Sequence, residues 1–134
     1  MPSQNDKPLR ILSASDLYKL NEEVTGYAPF VRDHQVLAST VKRPFLIVFG
    51  EEQFPSMIEK AAVLFHSLAA HHVFVDGNKR TATVAVRRFL EENGFKPKWE
   101  ASEMEAFALK VAKHEAEIEE IAAWLADRVE ESEE

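Results

Sequence analysis

Between Ser56 and Ala70 ten of fifteen residues are apolar, Ile58, Phe65 and Leu68 among them, and the spacing predicts a helix over about 56–72 with Pro55 at its first turn. A helix this apolar has no face left for solvent and must be wrapped by other elements. After one polar loop a second helix is predicted over about 79–92. It carries Ala82, Ala85, Val86 and Phe89 on one stripe, with Val84 and Leu90 outside it, and Gly94 closes it. Two neighbouring helices of this kind call for an all-α bundle built around them.

The breakers agree. The chain has four glycines, at 26, 50, 77 and 94, and its six prolines fall at 2, 8, 29, 44, 55 and 97, so long stretches run uninterrupted. Ser13 to Asp16 offers N-caps for a first helix carrying Leu17, Leu20 and Val24 and ending at Gly26, and Asp33 caps a short helix through Val41. Arg43-Pro44 stops that helix. The apolar run Phe45 to Phe49 then predicts a flap or short strand within 42–53, ahead of the central helices. Ser102 with Glu105 reads as a capping box for a helix carrying Met104, Phe107, Ala108 and Val111. Ile118, Ile121, Ala122, Leu125 and Val129 mark a last amphipathic helix, and Trp99 and Trp124 belong in or at the edge of the core.

At 134 residues the expectation is one domain spanning 1–134, with an acidic disordered end at about 130–134. Apolar runs such as Phe45–Phe49 and Ala61–Phe65 fall far short of the ~20 residues that cross a bilayer. The opening MPSQNDKPLR lacks the apolar stretch of a secretory signal, and there is no cysteine for a disulfide framework, so the expected compartment is the cytoplasm. The formal charge of −7 is local: residues 115–134 hold nine acidic residues and one arginine, which leaves +1 on the first 114. No predicted helix gathers the basic residues on one face, as groove reading of DNA requires, and direct nucleic-acid binding is not expected.

Chemically capable residues concentrate in the loop between the two apolar helices, His72-Val73-Phe74-Val75-Asp76-Gly77-Asn78-Lys79-Arg80. The first N–H groups of a helix are unpaired and sit at the positive end of its dipole, so Gly77 to Arg80 makes an anion cradle. Gly77 permits close approach to a ligand, the Asn78 amide can donate, Lys79 adds a point charge, and Arg80 adds a planar fork that grips phosphate by two bonds. Asp76 opposes an anion unless it holds a divalent cation that bridges phosphate oxygens, which points to a magnesium-bound nucleotide. Imidazoles exchange protons near neutral pH, which makes His72 the candidate base for a hydroxyl attacking phosphorus. Phe74 and Val75 are expected to plug the loop into the core. A plain helix connection satisfying its own termini would use similar residues, and both readings stand on composition alone.

The string His72-x-Phe74-x-Asp76-Gly77-Asn78-Lys79-Arg80 closely resembles the motif of the Fic/Doc family, His-Pro-Phe-x-Asp/Glu-Gly/Ala-Asn-Gly/Lys-Arg, and in particular its Doc branch, where Lys follows Asn. Arg43-Pro44 followed by Phe49-Gly50, Glu59 to Ala62, Asn93-Gly94 and Ala123 to Leu125 also look Doc-like. The resemblance implies an all-α Fic/Doc-like helical bundle with a short flap or β-hairpin before the central helices. It also implies transfer of part of a nucleoside triphosphate to a protein hydroxyl. Carried over by position, His72 is the base, Asp76 the magnesium ligand, Gly77, Asn78, Lys79 and Arg80 the nucleotide binders, and Phe74 the anchor. Lys42 and Arg43 become flap residues facing the target, or else a basic turn with a buried strand behind it.

Val73 stands where many members have Pro, and Thr83 stands where nucleotidylating members carry a second Arg. With Lys79, the Thr83 departure favours phosphoryl transfer from ATP to a Thr or Ser of a translation factor resembling elongation factor Tu. AMP transfer and a catalytically silent interaction module are the alternatives. The inhibitory string found in some relatives, Ser or Thr followed four residues later by Glu and then Gly or Asn, is missing here, so the resemblance implies restraint by a separate Phd-like antitoxin. His66, His71 and His72 lack the i, i+4 spacing of paired metal ligands. His66 reads as a helix-surface residue and His71 as the solvent-side neighbour of His72.

Overall fold

Ser13, Asp33 and Ser56 set where the first three helices begin. In a computed structural model that describes residues 8–132, Ser13 Oγ accepts from the Asp16 amide at 3.0 Å while the Asp16 carboxylate accepts from the Ser13 amide at 2.8 Å. That reciprocal box opens α1 (Ala14–Thr25), and Gly26 closes it at φ +84°. Asp33 Oδ1 accepts from the Gln35 and Val36 amides to open α2 (His34–Lys42), and Ser56 with Glu59 repeats the box for α3 (Met57–Ala70). α4 (Asn78–Glu92), α5 (Ala101–Ala112) and α6 (Ile118–Ala126) follow.

α3 is the hub: every residue from Lys60 to Ala70 except His66 is buried, and α4, α5, α6 and the turn after α2 all pack on it. α1 covers α4 from the other side. Because α4 is flanked on more than one side, Leu90 is fully buried although it lies outside the Ala82–Phe89 stripe, and Thr81 is buried as well. Trp99 is buried and Trp124 partly so, stacked on Phe107 with centroids 4.4 Å apart. Among the described residues no helix is long and apolar enough to cross a membrane.

Three boundaries differ from the sequence reading, the first at α3, where Pro55 precedes the N-cap Ser56 and does not enter the first turn. α5 starts at Ala101, and the Glu103 carboxylate, not that of Glu105, accepts the backbone N–H three residues before it, from Glu100 at 2.9 Å. The chain leaves β3 (Phe95–Pro97) only shortly before, and Glu103 is also held by Arg128 Nε at 3.2 Å, which selects that register over the Ser102 one. α6 stops at Ala126, short of Val129. Arg128 donates to the Trp124 carbonyl at 3.0 Å, and Val129–Glu131 turns back as β4, antiparallel to β3 with Phe95 opposite Glu131 and Pro97 opposite Val129. The acidic end is therefore ordered as far as it is described: Glu130 faces Lys98 at 3.6 Å and the Ser132 amide donates to the Gly94 carbonyl, while Glu133 and Glu134 lie outside the described residues.

Between α2 and α3 a single 3₁₀ turn (Arg43–Phe45) leads into a hairpin of β1 (Ile47–Val48) and β2 (Glu51–Glu52), with Ile47 opposite Glu52. Phe49 and Gly50 both have positive φ, as the tight turn of a two-residue hairpin requires. The flap is thus a hairpin, but its apolar residues are not a buried strand: Leu46, Ile47 and Val48 are exposed and Phe49 is fully so, at 101 %. A hairpin this short does not hold itself together. It is fastened to α3 by Lys60, a side chain only 5 % exposed whose Nζ donates to Glu52 Oε1 at 3.0 Å and to the Phe54 carbonyl.

Lys60→Met removes this tie without leaving a bare buried charge, and replacing a buried ion by an apolar group of similar volume is often close to neutral for global stability. The expected outcome is a nearly unchanged thermal midpoint. Amide exchange at Gln53, whose N–H bonds the Leu46 carbonyl, should accelerate about tenfold or more, the equivalent of ~1.4 kcal/mol of local protection. Exchange that accelerates evenly across α3 and α4 instead would contradict a local role.

Candidate active site

α3 ends against its C-cap His71, and the next residue, His72, takes a left-handed backbone with φ +50° and is exposed. Histidine visits this region more readily than bulkier residues, yet such a backbone is uncommon and strained. Val73 and Phe74, buried at 0 % and 1 %, follow directly and plug the chain into the core. The loop then pairs with the segment before α2: Arg32 N–H donates to the Val73 carbonyl at 2.9 Å, Val75 N–H to the Phe30 carbonyl at 3.0 Å, and Val31 bridges Phe74. Extended pairing turns successive side chains to opposite sides, so Phe74 points in while Val75, expected inside, is 62 % exposed.

Asn78 folds the loop onto itself. Its Oδ1 accepts from the Phe74 amide at 2.9 Å and its Nδ2 donates to the Phe74 carbonyl at 2.7 Å, so the side-chain amide expected to face a phosphate is already occupied by the backbone. Gly77 is likewise glycine for an internal reason. It has φ +78°, and a Cβ there would lie 2.7 Å from Thr25 Cγ2 and 3.1 Å from Asn21 Nδ2. The close approach is to α1, not to a ligand. As the N-cap of α4, Gly77 supplies no side chain, and the helix starts with no side-chain cap hydrogen bond. The first N–H groups of α4, at Asn78, Lys79 and Arg80, therefore start the helix without a side-chain cap.

α1 builds the floor of the site. Asn21, 1 % exposed, donates from Nδ2 to the Asp76 carbonyl at 2.8 Å and to Thr81 Oγ1 at 3.0 Å. Arg80 Nη1 donates to the Val24 carbonyl at 2.6 Å, which places the guanidinium over the C-terminal end of α1 and commits part of its fork to the protein. Lys79 is exposed at the first turn of α4. The Asp76 carboxylate accepts from Gly77 N–H on Oδ1 at 2.7 Å and from the Tyr27 hydroxyl on Oδ2. The Tyr27 hydroxyl, and after it the Gly77 amide, hold the Asp76 carboxyl below the usual carboxylate range, while the same bond to Asp76 pushes the Tyr27 phenol up. Asp76 is therefore an anion at neutral pH, exposed beside two cations. A single carboxylate next to a phosphate cradle is the donor set with which magnesium is usually held, the phosphates supplying further oxygens.

Arg43, expected to face a target or to form a basic turn, commits one nitrogen of its guanidinium to α3. It is half-buried, its Nη1 donates to Ser67 Oγ at 3.0 Å and lies 3.4 Å from His66 Nδ1, and it acts as a strut between the foot of the hairpin and α3. An arginine can only donate, so His66 Nδ1 accepts. Burial, with His71 and Arg43 nearby, pushes His66 down to about 4, which keeps it neutral for this role. His66 is thus half-buried and partnered where a surface position was expected. Lys42 is exposed at the end of α2 beside the hairpin. A cavity of about 780 Å³ among Leu9, Met57, Asn93 and Phe95 opens at the far end of α4 and does not belong to this site.

Reading the sequence alone missed Asn21, Tyr27 and Thr81. Asn21 left a signal, since it falls on the Leu17, Leu20, Val24 stripe of α1, where a polar residue needs a buried partner. Tyr27, in the loop after Gly26, left none.

A family model described as Fic/DOC family matches residues 11–90. The chain is also 40 % identical over 98 residues, 72 % of its length and 75 % of the relative's, to a protein of Mycolicibacterium smegmatis named Toxin Doc.

The packing of α1 under the loop can be tested at Gly77. Gly77→Ala is expected to cost about 1–2 kcal/mol for the left-handed backbone alone, and more for the collision with Thr25. Adding Thr25→Ser, which removes the colliding methyl, should recover only the steric share in urea unfolding. Wild-type stability in Gly77→Ala would contradict this close approach.

Proposed function

The chain belongs to the Fic/DOC family, and from that premise we propose that it is a Doc-like toxin that moves the γ-phosphoryl group of ATP to a Thr or Ser hydroxyl of a translation factor resembling elongation factor Tu. The observation that carries this reading is the uncapped N-terminus of α4, flanked by Lys79 and Arg80, with the anionic Asp76 and the exposed His72 on the loop directly before it. In this reading the first-turn N–H groups of α4, Lys79 and Arg80 bind the phosphates. The Asn78 side chain shapes the loop and does not grip the nucleotide. Asp76 would hold a magnesium ion, whose charge offsets that of the phosphate oxygens when bound.

His72 takes the proton of the incoming hydroxyl as its oxygen bonds to the γ-phosphorus. The bond from that phosphorus to the β,γ-bridging oxygen breaks, and ADP leaves with the electron pair. Position 83 supports phosphoryl over AMP transfer. Thr83 presents no cation there, and its hydroxyl donates to the Lys79 carbonyl within its own helix at 3.0 Å. The exposed Leu46 to Phe49 hairpin, beside Lys42, is the surface we assign to protein contacts. These are the target segment and, for restraint, a separate Phd-like antitoxin that covers the exposed hairpin. Such chemistry belongs in the cytoplasm, where ATP and translation factors meet.

Incubating the full chain and a cell extract with ATP labelled at the α or the γ phosphorus is the test. Label is expected to reach protein from the γ position only, and transfer from the α position would replace the kinase reading with nucleotidylation. His72→Asn, whose side chain tolerates the left-handed backbone, should keep the thermal midpoint while transfer falls by ~10²- to 10⁴-fold.

A further inference from the structure

Tyr27 is exposed, lies outside the motif, and spends its hydroxyl on one atom, Asp76 Oδ2. We propose that Tyr27 is a positioning residue for the divalent cation, holding the Asp76 carboxylate in the orientation that receives it. The proposal deepens the function above and rests on Asp76 being the cation ligand there.

An aspartate on an exposed loop beside Lys79 and Arg80 would, left alone, swing onto one of them. That pairing would withdraw both the anion that a metal needs and a cation that the phosphates need. Two donors on different oxygens, Gly77 N–H on Oδ1 and the Tyr27 hydroxyl on Oδ2, prevent it by fixing the plane of the carboxylate. A carboxylate offers about four lone-pair sites, so two remain for a metal. A phenol also holds Asp76 without adding positive charge, as a lysine or arginine in its place would, and so does not repel the incoming cation.

The backbone of Tyr27 is held beside the end of α1. Thr25 Oγ1 accepts from the Tyr27 amide at 3.4 Å, its one proton is within reach of both the Asn21 carbonyl at 3.0 Å and the Tyr27 carbonyl at 3.1 Å, and Gly26 turns the chain out of α1 just before Tyr27. The Val24 carbonyl is tied to Arg80, and Asn21 holds the Asp76 carbonyl. The end of α1 therefore fixes Asp76 by both main chain and side chain. Bonds of this outer kind to a metal-binding carboxylate commonly account for ~10- to 100-fold in metal affinity.

The test uses the full chain, Tyr27→Phe and Asp76→Asn, with Mn²⁺ as the probe. Free Mn²⁺ is read by electron paramagnetic resonance in the presence of the non-hydrolysable β,γ-imido analogue of ATP. Analogue affinity in chelator and the thermal midpoint are measured alongside. Tyr27→Phe is expected to weaken Mn²⁺ binding by about 10- to 100-fold with both other readings unchanged. Unchanged or tighter Mn²⁺ binding in Tyr27→Phe, while Asp76→Asn loses it, overturns the inference and leaves Asp76 as ligand. Unchanged binding in both variants removes Asp76 as ligand. A parallel fall in metal-free analogue affinity or in the midpoint makes Tyr27 a structural residue and likewise overturns the proposal.

Discussion

One buried amide joins the parts of this molecule that matter most to each other. Asn21 sends both its protons to groups near the start of α4, the Asp76 carbonyl and the Thr81 hydroxyl, from a position closed to water. A buried polar group left unpaired costs about 1–3 kcal/mol, so neither α1 nor the loop can move without the other. The close approach that this bond enforces leaves no room for a side chain at position 77, and with glycine there α4 begins uncapped. The uncapped start of α4 thus follows from how tightly α1 is packed.

Much of this was legible because caps and chemistry are local. Ser13, Asp33 and Gly26 act within four residues of themselves and mark both ends of α1 and the start of α2. The motif loop is one contiguous stretch, and His72, Asp76, Lys79 and Arg80 all lie at the amino end of α4 or on the loop before it. The reading failed where distant partners decide. Ser102 with Glu105 makes as good a local box as the one observed, but Arg128 holds Glu103. Val129 fits a helical stripe, but pairing with β3 takes it.

The sequence points to Gly77 and Asn78 but not to the groups they touch. Composition says that a glycine permits close approach and that an amide can donate, but not to what. Here the partners are α1 and the loop's own backbone. Arg43 is similar: beside an exposed apolar hairpin it reads as a surface contact, and only the fold brings Ser67 and a neutral His66 to it.

The left-handed backbone at His72 sets conservation of fold against conservation of chemistry. A glycine there would relieve strain of about 1 kcal/mol, and the exposed imidazole makes no hydrogen bond or ion pair among the described residues. Laboratory selection for thermal endurance alone would thus be free to discard the histidine, and under the proposed function its replacement would leave a sturdier protein without its base. If the chain arrests growth, selection in living cells pushes the same way, since losing the histidine removes the toxicity and relieves the strain in one step. Intact copies would then persist only where something else, such as a bound partner, shields the cell from them.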